Sequence, residues 1–288
     1  MRKLHKSLLF NLTALFILIG LCGCANVLKK SNNNNSDDSA VDEIAPTKSQ
    51  ASSAEVEVKS ENKKVTVTSE DTLSQAIKRQ SDSDIVKASN DLLMVNPANM
   101  KALNALGLSN YKKGKYKAAA FFFNKALKSN SNDSGLYNNL ALVKLAQGEQ
   151  REAVKLLKSG LAQKSDDIAL LSNLGAIYVA QKDYANAEVA LEEVYKRNPK
   201  DFKSSTNYAI ALTADRKFPE ASSIYKKLLS DNSSSREIML NYSIHLIENM
   251  KDYKQGLELI NRLKFVGVPG DSRNVINDLE NKAKSGLK

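Results

Sequence analysis

ALNALGLSNYKKGKYKAAAFFFNKAL (residues 102–127) and LLSNLGAIYVAQKDYANAEVALEEVYKRNP (residues 170–199) decide the fold, because they are two copies of one frame of 34 residues. Each joins two amphipathic, helix-forming runs across a short break, at KKGK (112–115) and at QKD (181–183). With units counted from Met100, Ser134, Ile168, Phe202 and Arg236, the sixth place holds Ala105, then Asn139, Asn173, Asn207 and Asn241. The seventh is large (Leu106, Leu140, Leu174, Tyr208, Tyr242) and the eighth small (Gly107, Ala141, Gly175, Ala209, Ser243). Place 20 is small again (Ala119, Ala153, Ala187, Ala221) and place 24 large (Phe123, Leu157, Leu191, Tyr225). The fifth unit carries one extra residue, which moves these two places to Gly256 and Ile260. Small residues let helices approach, so small against small is expected to pin each hairpin. A unit of this length cannot bury its apolar face alone and must stack on its neighbours.

These segments resemble the tetratricopeptide repeat family, whose pattern runs large-Gly, Tyr, Ala, Phe/Tyr, Ala and Pro. Pro97 and Pro199 fall at place 32, where a helix has ended and a missing N–H does little harm. The family's Trp at place 4 is replaced by Leu103, Tyr137, Leu171, Ser205 and Met239. The resemblance implies an all-α fold, a right-handed superhelical solenoid of five helix-turn-helix repeats over 100–267 (100–133, 134–167, 168–201, 202–235 and 236–267). Residues 70–99 read as a degenerate capping repeat, with Ile85, Leu92 and Pro97 in frame. Residues 268–288 read as a capping helix that starts at Asp271 or Ser272 and keeps a polar outer face.

The other end of the chain bears on location. Arg2, Lys3 and Lys6 precede an apolar run ending in Leu21-Cys22-Gly23-Cys24, the form of a secretion signal over 1–23. It resembles a bacterial lipobox, which implies a diacylated Cys24 as the mature N-terminus. An uncleaved anchor from Ser7 to Leu28 is the other reading, with an apolar core short for a span of about 20 residues. Ala25 after the cysteine implies sorting to the outer membrane of a Gram-negative bacterium, on its periplasmic face. Residues 24–69, with SNNNNSDDS, are expected to be a disordered tether of root-mean-square span about 35–40 Å. The alternation in VEVKSENKKVTV (56–67) also suits a hairpin, which is marginal alone in water.

Composition removes other readings. With Cys22 in the signal and Cys24 acylated, neither of the two cysteines remains as a thiol for a disulfide or metal. The formal charge of +10 includes three basic residues in 1–23, leaving about +7 for a chain that meets little nucleic acid outside the cytoplasm. No phosphate loop, HExxH or nucleophile elbow is present, and His245 is the only histidine beyond the signal. No catalytic residue, metal site or cofactor is therefore assigned, and nothing sets an oligomeric state.

The family resemblance places a partner-binding groove on the first helices. Place 9 then contributes Leu108, Leu142, Ala176, Ile210 and Ile244, and place 12 Tyr111, Leu145, Val179, Thr213 and Ile247. Beside these apolar lanes run Asn139, Asn173, Asn207 and Asn241. A row of amides can pair with successive backbone groups of an extended peptide, or can bond only to the neighbouring repeat; the sequence leaves both open. The expected function is a scaffold anchored in the membrane through the lipid on Cys24. It would bind protein partners of the cell envelope and assist assembly of an envelope machine such as a type IV pilus secretin or a gliding-motility complex. The alternative is an adaptor that recruits peptidoglycan hydrolases or proteases.

Overall fold

Short polar side chains set the helix starts. Asn99, Asp133, Asp167 and Ser235 each stand just ahead of a first helix with extended backbone and accept from an N–H of its first turn: Asn99 from Ala102, Asp133 from Leu136, Asp167 from Ala169 and Leu170, Ser235 from Ile238. Asp201 occupies the same place, but its carboxylate accepts the Ser204 hydroxyl at 2.5 Å instead.

The computed structural model describes residues 70–288. The expected signal at 1–23, Cys24 and the tether at 24–69 lie outside the described residues. The described chain divides into two compact units, 70–156 and 157–288. The first holds α1 (70–79), α2 (Asp82–Val95), α3 (Met100–Lys112), α4 (Tyr116–Ser129), α5 (Ser134–Ala146) and the start of α6 (Gln150–Gln163). The second holds α7 (Ile168–Gln181), α8 (Tyr184–Arg197), α9 (Phe202–Ala214), α10 (Phe218–Asp231), α11 (Arg236–Ile244), α12 (Tyr253–Val266) and α13 (Arg273–Gly286). A π-helix, His245–Met250, continues α11, and a 3-10 turn, Gly270–Ser272, precedes α13. No strand occurs among the described residues.

Inside each hairpin, a small residue makes room for a large one. A Cβ added to Gly107 would lie 2.4 Å from Phe123, and one on Gly175 would lie 2.4 Å from Leu191. Place 8 on the first helix therefore receives place 24 of the second. Gly256, at place 20, works the other way, against Ile247 at 2.3 Å. The expected contact of small with small is corrected to small with large, as close packing requires when one backbone yields volume to a neighbouring side chain. Place 24 accordingly is buried throughout, at Phe123, Leu157, Leu191, Tyr225 and Ile260.

The tight turn between paired helices needs one left-handed residue. It is Gln80, Gly114 and Gly148 in the first unit, and Lys182, Arg216 and Lys251 in the second. Glycine adopts this conformation freely, whereas a side chain there costs about 1 kcal/mol or more.

The extra residue of the fifth repeat is stored in the π-helix. A π turn is an α-helix with one residue inserted. Asp252 N–H reaches back to the Leu246 carbonyl at 2.9 Å, and α12 then begins in phase with its equivalents.

The two ends differ in their closure. In the first unit Leu73, Ala88 and Leu92 cover Ala102 and Ala105 of α3. In the second, α13 lays Ile276, Leu279 and Ala283 on Met239, Leu240, Ile244 and Ile247. Ser272 does precede α13, but its side chain makes no capping bond.

Candidate functional site

In the first unit, α3 and α5 pack side by side and share a partly open face. Leu108 is 38% exposed on α3, while Tyr111 on α3 and Leu142 and Leu145 on α5 are half-buried. The Tyr111 ring lies tilted against Tyr116, with centroids 5.7 Å apart. Asn139 of α5 donates from Nδ2 to Oδ1 of Asn104 on α3 at 2.9 Å. Its amide is thus partly engaged with the neighbouring repeat. A primary amide has two N–H donors, and this bond uses one of them.

Asn104, at place 5, is not among the groove residues expected from the sequence. The signal was there to find: Asn104, Asn138, Ser172 and Thr206 are all short and polar at that place. In the second unit the Ser172 hydroxyl bonds to the next repeat in the same way: it donates to Ser204, whose own proton goes to Asp201, at 3.1 Å.

The expected groove residues of the second unit fare differently. Asn173 and Ile210 are half-buried. Val179 is buried, Asn207 is 6% exposed and Asn241 is 3% exposed. Ile244 and Ile247 are sealed in the core. Five of the expected partner-facing residues, Val179, Asn207, Asn241, Ile244 and Ile247, are thus interior residues. For Ile244 and Ile247 the reason is α13, which covers the face that a further first helix would have covered. For Asn207 it is the crowding of α9, which packs on α7, α8 and α10 at once.

A polar cluster lies at the head of the π-helix. His245 is buried, with Nδ1 3.0 Å from Thr213 Oγ1 and Nε2 2.9 Å from Ser222 Oγ. The Thr213 hydroxyl gives its single proton to the Ala209 carbonyl at 2.8 Å. Its oxygen therefore accepts from His245 Nδ1–H, which leaves Nε2 to accept from Ser222. The rings of Phe218, Tyr225 and Tyr242 surround the imidazole with centroids 5.6–6.2 Å from it. Burial pushes the imidazole below its ordinary value of 6.5, outweighing the Phe218 carbonyl that favours the charged form. Each ring nitrogen is held by a hydroxyl, an arrangement that positions a neutral imidazole within the packing.

Charge at the rims is arranged in pairs. Lys101 binds Glu70 at 2.7 Å and Lys113 binds Asp82 at 2.5 Å, linking α3 to the capping helices. Glu237, half-buried at the start of α11, has its carboxyl raised above the ordinary value by burial, with Lys203 acting in the opposite sense. Among the described residues no group of three or more His, Cys, Asp and Glu is placed to hold a metal ion.

The comparisons with known proteins bear on the family. Two family models, both described as tetratricopeptide repeat, match residues 70–134 in one case and 111–177 and 178–238 in the other. Together they span 70–238, more than half of the 288 residues. No curated protein matches the sequence. Among solved structures, the chain is similar to YrrB, described as a TPR protein with an unusual peptide-binding site: 16% identity, TM-score 0.58, 69% of this chain and 98% of that one. It is similar to PilF of Pseudomonas aeruginosa at 20% identity and TM-score 0.53, covering 65% and 88% of the two chains. MamA of Desulfovibrio magneticus RS-1 matches at 15% identity and TM-score 0.54, covering 58% and 94%. At such identities these structures speak for the fold alone. The recurring small and large places, the paired helices and the two matching models lead to one assignment: the chain belongs to the tetratricopeptide repeat family.

Proposed function

We propose that this protein is a membrane-tethered scaffold whose α3–α5 face binds an extended or helical segment of an envelope protein. Tetratricopeptide repeat proteins generally mediate protein–protein interactions. The observation that carries the finer reading is the face of the first unit, where Leu108, Tyr111, Leu142 and Leu145 retain exposed apolar surface beside the Asn104–Asn139 amide pair. Leucine and tyrosine side chains can seat the apolar residues of a segment, while amides satisfy its backbone. The lipobox-like end at Leu21–Cys24 supports anchorage through Cys24 in the outer membrane, and the tether at 24–69 would let the scaffold work away from the bilayer. Assembly of an envelope machine, such as a type IV pilus secretin or a gliding-motility complex, is the role this layout suits best.

The test is capture from the native envelope by the full-length chain and by a Leu108→Glu/Leu142→Glu variant, with circular dichroism as a control for folding. Enrichment of a secretin or motility component that the folded variant loses supports the proposal. Equal capture by both chains refutes the face, and enrichment of wall hydrolases instead would assign the adaptor role. Cys24→Ser is expected to remove the protein from the outer-membrane fraction.

A further inference from the structure

The end of α12 carries an aromatic ring that the fold does not use. Ile260 and Leu263 face the core, and Phe265, two residues further on, points about 200° away around the helix. It is 93% exposed, and Val266 beside it is 39% exposed. Because α11 and α12 are antiparallel, this tip shares its end of the unit with the start of α11 and the start of α13. Three exposed arginines come from those elements. Arg236 opens α11, and its Nη1 lies 3.9 Å from where a Cβ on Gly267 would stand. Arg262 sits one turn before the tip and donates to the Ser233 carbonyl. Arg273 opens α13 across the Gly270–Ser272 turn. The acids nearby are Asp271 and Glu258, which are exposed, Glu280, which is held by Lys264 and Lys284, and Glu237, which is half-buried.

We propose that this tip seats on an anionic phospholipid surface, with the phenyl ring below the headgroups and the guanidinium groups on lipid phosphates. A planar guanidinium matches phosphate oxygens two at a time. Basic residues at an anionic surface contribute about a fivefold preference each, and an aromatic ring gains by leaving water at the same depth. A projecting ring flanked by cations fits a fluid surface that closes around it. The inference is independent of the α3–α5 face and lies in the other unit.

The chain contains no tryptophan, so Phe265→Trp places a single fluorophore at the tip. The full-length variant is to be mixed with vesicles of phosphatidylcholine, alone or with phosphatidylglycerol. A blue shift, with quenching by acyl-brominated lipid, is expected only when phosphatidylglycerol is present. High salt should reverse it by screening the arginines. Adding Arg236→Gln, Arg262→Gln and Arg273→Gln should lower the quenched fraction at least fivefold; if the triple variant fails to fold, the salt reversal carries the same test. Phe121→Trp, at a residue 61% exposed in the first unit, should show no shift. The proposal is overturned if the tip probe emits alike in all vesicles, if salt leaves its shift unchanged, or if the residue 121 probe shifts equally.

Discussion

The two units treat the same surface in opposite ways. On α3 and α5, places 9 and 12 hold leucine and tyrosine side chains that keep contact with solvent, and the place-6 amide of Asn139 on α5 reaches Asn104 on α3. On α11 and the π-helix the same places hold Ile244 and Ile247, which are packed beneath α13, and the amide of Asn241 is interior. A place in a repeat frame therefore fixes the direction a side chain takes. What stacks next decides whether that direction ends in water, a partner or the core.

The largest test of this contrast compares Leu279→Ala with Leu108→Ala. Leu279 is 1% exposed within the terminal cluster, and its truncation is expected to cost about 3 kcal/mol in urea unfolding. Leu108 should cost under about 1 kcal/mol, since much of its side chain gains little by folding. Equal costs would mean that the first unit's face is core as well.

Ser222→Ala comes next. It leaves His245 Nε2 buried without a donor and should cost about 1–2 kcal/mol, read as a lower melting temperature. A neutral result would show that water or a rotated neighbour satisfies the ring.

Burial of His245 also gives the second unit a pH dependence. Its folded value lies below the ordinary 6.5, so the unfolded chain takes up a proton first as pH falls. The contribution is fully present above 6.5 and declines as pH drops through that value toward the folded one. His245→Gln should flatten this part of the stability profile; an unchanged slope would assign it to carboxylates.

The smallest effect concerns the turns. Lys182→Gly relieves a left-handed lysine at φ 62° and should stabilise by up to about 1 kcal/mol, while Gly114→Lys should cost a similar amount. Thermal melts of both variants would show how much strain a lysine carries at a corner where glycine has none.

Much of the fold was legible because steric rules recur with the frame. Places 8, 20 and 24 gave the hairpin packing, although the partner of Gly107 proved to be Phe123 rather than another small residue. Polar residues before the helices marked their starts, and the extra residue in the fifth repeat was countable. The left-handed place was hidden, since two glycines share it with a glutamine, two lysines and an arginine, and a side chain's φ leaves no mark in its name. The candidate face was legible only in part. Asn139 and Leu108 are where the frame puts them, but no pattern within the fifth repeat reveals that α13 will cover Ile244 and Ile247. Nor does a lone His245 announce hydroxyl partners 32 residues before it and 23 residues before it in the chain.

The π-helix separates the length of a repeat from its phase. One additional residue continued as α-helix would turn everything after it by about 100° and send the core side of α12 into solvent. Widening a single turn takes up that residue before the strained corner at Lys251 and hands the next helix an unrotated start. A chain with this device can gain or lose a residue in mid-helix without reorganising the units that follow. Deleting one residue between Leu246 and Met250 should then restore ordinary α-helix and keep the downstream stacking, at the expense of the room in which the imidazole sits.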